Sequence, residues 1–142
     1  MTTGQLQMRR YLNAARRRWE VVGSLFCAAL GGGTLMFLSG GHDPMAWVVG
    51  SELHHALLAW WLLGWGLVHA VGIRANGRWG VYSTALRLAA MVGQVGALMV
   101  LSVSGYGSTA FMTYGFVAGI LAYGAFAAWS DCRLAVLGVR YD

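Results

Sequence analysis

The chain has 142 residues, of which 58% are hydrophobic and only 11% charged, and it carries a formal net charge of +5. That balance excludes an ordinary soluble domain, where about a quarter of residues are charged, and apolar runs of about 18 to 21 residues recur, each long enough to cross about 30 Å of hydrocarbon. All ten basic residues are arginines, placed outside the apolar runs with no aromatic-interleaved basic patch, so the charge bears on topology and lipid headgroups and no nucleic-acid partner is expected.

The pattern predicts an all-α protein, an integral membrane four-helix bundle that forms a single transmembrane domain over residues 1–142. Residues 1–18 hold five of the ten arginines among scattered apolar side chains, a basic interfacial segment suited to an anionic leaflet. Arg9-Arg10 superficially matches a twin-arginine export signal. A second cluster, Arg16-Arg17-Arg18, intervenes before the apolar run, and no small-x-small cleavage site follows, so a retained first span is expected.

Span one covers about residues 21–38, and its Gly31-Gly32-Gly33 permits close approach of a helix or a cofactor. In the arginine-free loop that follows, Pro44 is expected to open a short surface helix and Trp47 to anchor the interface. Span two covers about 53–73 and is followed by a basic turn from Arg74 through Arg78 to Arg87. Span three, about 86–104, has Gly93 and Gly96 on its packing side; span four, about 111–129, has Gly115 and Gly119 at small-xxx-small spacing, with Gly124 beyond. These glycines are expected to pack helices. Cys27 and Cys132 lie at different depths, so neither a disulfide nor a metal-type pair is expected. Five arginines precede span one, three lie between spans two and three, two follow span four, and the other two loops have none. This distribution predicts cytoplasmic N and C termini in a multi-pass protein of the bacterial inner membrane.

Span two carries the chemistry, because this apolar segment contains His54, His55 and His69 of the chain's four histidines. His55 and His69 are fourteen residues apart, which on a helix is about 21 Å of rise and a net rotation of about −40°. They therefore share one face at opposite depths, with Ala59, Leu62 and Gly66 between them leaving room for a flat ligand, while Trp60, Trp61 and Trp65 project elsewhere. Imidazole is a good ligand for haem iron, and an ionisable side chain inside a bilayer marks a site. Two stacked b-haems are the first expectation, and hydrogen bonding between helices without any cofactor is the alternative. His54 points about 100° from His55 and is expected at the interface.

His55-x-x-x-Ala59, followed by His69 and Gly72, resembles a ligand helix of the membrane di-haem cytochrome b proteins, of the cytochrome b-561 type and the cytochrome b subunits of nickel-iron hydrogenases. Leu38-Ser39-Gly40 is similar to the end of the preceding helix in those families, and the resemblance spans roughly residues 21–78. It implies haem b held by His55 and His69 and lined by Ala59 and Gly66, with electrons passing between an outer-side donor and quinone or a partner redox subunit. Those families take their other axial histidines from further helices of the same chain, whereas spans one, three and four here have none. A homodimer or higher even oligomer with span two at its axis, another redox subunit, or methionine would then supply the missing ligands. Met36, Met99 and Met112 are expected near the level of His55, and Met91 near that of His69.

Two other classes fit the sequence. One is a cofactor-free accessory subunit packed by its glycines into a larger membrane complex. The other is a zinc or copper site at the outer surface, built from Glu52 and His55 at i, i+3 spacing with His42, Asp43 or His54 nearby. No nucleophile and base pair, phosphate loop or catalytic carboxylate pair can be placed in the spans, so hydrolysis and group transfer are not expected.

Overall fold

In a membrane every backbone polar group must be satisfied within the segment, so long apolar runs become helices. The computed structural model describes residues 3–43, 45–48, 51–75, 81–105 and 109–136, the side chains of 3–14 and of 134 and 135 excepted. These residues form four helices, α1 Thr3–Ser39, α2 Glu52–Arg74, α3 Val81–Ser104 and α4 Thr109–Val136. Each is long and apolar enough to cross a membrane.

The basic segment and span one are one unbroken helix of 37 residues. At about 1.5 Å per residue that is well beyond the hydrocarbon thickness, so its basic end extends past the apolar stretch, Ala15–Ser39. α3 begins at Val81, five residues earlier than expected, because Val81-Tyr82-Ser83-Thr84-Ala85 continues the helix on the N-terminal side of Arg87. The placement of all ten arginines outside the apolar runs is corrected accordingly: Arg87 lies within α3, on its buried face and 3% exposed. Pro44, the turn around Arg78 and the tail with Arg140 lie outside the described residues.

Helices adjacent in sequence pack side by side, with α1 against α2, α2 against α3 and α3 against α4 as the main contacts, and α1 meeting α4 more lightly. Lipid tails are as apolar as leucine, so helix association depends on close packing and polar contacts. Both are present. A Cβ at Gly31 would lie 2.5 Å from Ala59 O and Leu63 N, and one at Gly66 would lie 2.7 Å from Ala28 N, so α1 and α2 touch backbone to backbone. Ser24 Oγ donates to Gly66 O at 2.9 Å beside that contact. α2 meets α3 where Gly93 receives Trp65 and its carbonyl accepts from Trp61 Nε1 at 2.9 Å. Gly115 faces Ser102 and Gly124 faces Met91, joining α3 to α4, whereas a Cβ at Gly96 or Gly119 would meet nothing within 4 Å.

The loop after α1 is tied down. Met45 and Val48 are buried, and Trp47 stacks on Tyr114 of α4 with ring centroids 5.9 Å apart. Cys27 and Cys132 are free thiols.

Candidate functional site

The face of α2 predicted from helical periodicity, His55, Ala59, Leu62, Gly66 and His69, is the buried one, and Gly72 continues it. It ends in a polar centre near each end of the helix.

One centre, at the start of α2, is formed by His55 and the loop. His55 Nδ1 lies 2.5 Å from Asp43 Oδ2, and Nε2 lies 2.9 Å from Val48 O. Both partners are acceptors, so in this arrangement each ring nitrogen donates. The hydrogen bond from His55 holds the Asp43 carboxyl below its ordinary value of 3.8, helped by the Met45 N–H that Asp43 Oδ1 accepts at 2.9 Å. Asp43 thus fastens the loop to α2. His54 is exposed, and its Nδ1 accepts the Ser51 N–H at 3.2 Å, satisfying a backbone donor at the helix start. Glu52 is exposed in the first turn, where a carboxylate suits the helix dipole. His42 is exposed with Nδ1 at 3.1 Å from Gly40 O. Among the described residues no three His, Cys, Asp or Glu side chains group as a metal site.

The other centre, around Glu20, lies at the arginine-rich end of α1 and draws on all four described helices. Glu20 of α1, 3% exposed, accepts from Arg87 of α3 through Nε at 2.9 Å and through one terminal nitrogen at 2.7 and 2.6 Å to its two oxygens. Arg16 Nε approaches Glu20 at 3.4 Å, while a terminal nitrogen of Arg16 donates to Asp131 of α4 at 2.8 Å. His69, fully buried, places Nδ1 3.1 Å from Gln94 Oε1 of α3, and Gln94 Nε2 donates to Trp65 O at 3.2 Å. Glu20, Arg87, Gln94 and Asp131 were missed in the sequence. Glu20 borders the apolar run of span one and Arg87 lies in the first turn of span three, and reading such charges as flanking loop hides that they belong inside the bundle.

The residues do not fit haem in this packing. The small-residue face between His55 and His69 is filled by Gly31 and Ala28 of α1 at backbone contact, which leaves no room for a porphyrin there. Both His55 nitrogens are engaged within the chain, so His55 has no lone pair to offer an iron. The methionines do not complete a ligand set: Met36, Met99 and Met112 are exposed, and Met91 is buried against Gly124. The same α1 contact occupies the face through which α2 was expected to meet a second copy. No protein-family model, curated protein or solved structure matches the chain.

Proposed function

We propose that this chain is a cofactor-independent accessory subunit of a larger membrane complex, inserted with both termini in the cytoplasm of a bacterial cell. The carrying observation is that His55 gives both ring nitrogens to the chain's own loop, at Asp43 and Val48, and His69 turns Nδ1 to Gln94 of a neighbouring helix. Membrane helices use buried imidazole in this way to hold one another. Outward-facing glycines support an external partner. Gly64, Gly96 and Gly119, on three different helices, are exposed with no chain atom within 4 Å of an added Cβ. Glycine weakens a helix and in membranes marks close helix approach, so unpaired glycines at mid-helix suit helices of another subunit.

The test is purification of the tagged chain in mild detergent from haem-replete cells. The expected result is a preparation with no b-type α band in its reduced-minus-oxidised spectrum, holding a stoichiometric membrane partner that Gly119→Leu releases. An α band that weakens in His55→Ala or His69→Ala would overturn this reading in favour of an electron-transferring cytochrome.

A further inference from the structure

Among the described residues, two buried side-chain polar atoms lack a hydrogen-bond partner, Nε2 of His69 and Nε of Arg16. Both lie against one carboxylate: His69 Nε2 is 4.0 Å from Glu20 Oε2, and Arg16 Nε is 3.4 Å from Glu20 Oε1. The tautomer of His69 follows from its neighbours. Gln94 Nε2 donates to the Trp65 carbonyl, which turns Oε1 towards His69 Nδ1, and an amide oxygen can only accept. Nδ1 therefore carries the hydrogen, and Nε2 of the neutral ring offers a lone pair. That lone pair faces a second acceptor, and both side chains are buried, where an unmatched polar atom is costly.

We infer that Arg16, Glu20 and His69 form a binding site for one water molecule. It donates one hydrogen to His69 Nε2 and the other to Glu20 Oε2, and its oxygen accepts from Arg16 Nε. Two donors and one acceptor are what the three atoms require, and about three partners are usual for a buried water. The charge balance selects a neutral ligand over an ion. Arg16 and Glu20 of α1, Arg87 of α3 and Asp131 of α4 are the charged groups of the centre, two of each sign, and they are already paired with one another. Exchange is open at one side, because the side chains of Asp131 and Arg16 are 43% and 18% exposed. The water then completes a polar path from the surface at Asp131 through Arg16, His69 and Gln94 to the Trp65 carbonyl, midway along α2. This inference stands apart from the accessory-subunit reading, since it concerns the centre around Glu20 alone.

The test is water-edited solid-state NMR on the full chain in lipid bilayers, with ring-labelled histidine and labelled arginine. Magnetisation from water is expected to reach His69 Nε2 several-fold faster than the dry core at Leu98, with Nδ1 protonated and Nε2 shifted as a hydrogen-bonded acceptor. In His69→Phe, which also assigns the signal, the water contact at Arg16 Nε should weaken. Build-up at His69 as slow as at Leu98, or a ring with hydrogen on Nε2 bonded directly to Glu20, overturns the inference. The wild-type measurement decides by itself if His69→Phe fails to fold.

Discussion

Arg87 of α3 and Glu20 of α1 grip each other through three hydrogen bonds of 2.6 to 2.9 Å, both side chains 3% exposed. The helices they join are not neighbours in sequence, so the pair ties the first half of the bundle to the second. Removing one partner strands a buried charge, and Arg87→Ala or Glu20→Ala should each lose about 3–5 kcal/mol. Replacing both with methionine should recover much of that loss, because it removes the stranded charge as well. Reversible unfolding in mixed micelles measures this. A double variant no more stable than the singles would show that the pair contributes more than the avoidance of an unpaired charge.

Gly31 and Gly64 should respond oppositely to a side chain. An alanine at 31 would drive its Cβ to 2.5 Å from the α2 backbone at Ala59 and Leu63, while one at 64 meets nothing within 4 Å. In the isolated chain Gly31→Ala should cost about 1–3 kcal/mol through forced separation of α1 and α2. Gly64→Ala should be neutral or stabilising by up to about 1 kcal/mol. Equal effects at the two positions would argue against the α1–α2 contact.

The loop tether should be acid-sensitive. Asp43 has its pKa depressed by the hydrogen bond from His55, so its contribution is fully present above the ordinary value of 3.8 and is lost as the pH falls through the lower folded-state value. Hydrogen exchange at Met45 and Val48 should therefore accelerate on acidification through and below that value. In Asp43→Asn it should already be fast at neutral pH, with little further change.

Gln94 is fully buried and bridges His69 to the Trp65 carbonyl. Gln94→Leu keeps similar bulk but leaves the Nδ1–H of His69 without its partner, worth about 1–3 kcal/mol, while the Trp65 carbonyl keeps its bond within the helix. A loss of stability in that range, with helix content unchanged by circular dichroism, is the expected outcome. A neutral substitution would mean that His69 finds another partner.

Apolar run length alone determined the four helices of the described residues and roughly where their apolar stretches lie, since a membrane leaves backbone polar groups no option but internal hydrogen bonds. Helical periodicity also determined that His55, Ala59, Leu62, Gly66 and His69 share the buried face of α2, because the rotation per residue is fixed whatever packs against it. What covers that face was decided only in three dimensions. Gly31 and Ala28 fill the space that a flat ligand or a second copy was expected to take, and the partners of His55 are a loop carboxylate and a loop carbonyl. Composition rules likewise put charges outside the apolar runs. Glu20 and Arg87 are 67 residues apart in sequence, and each alone would end a span, but paired and nearly neutral together they can lie inside one. That distinction rests on a long-range contact, and no local pattern carries it.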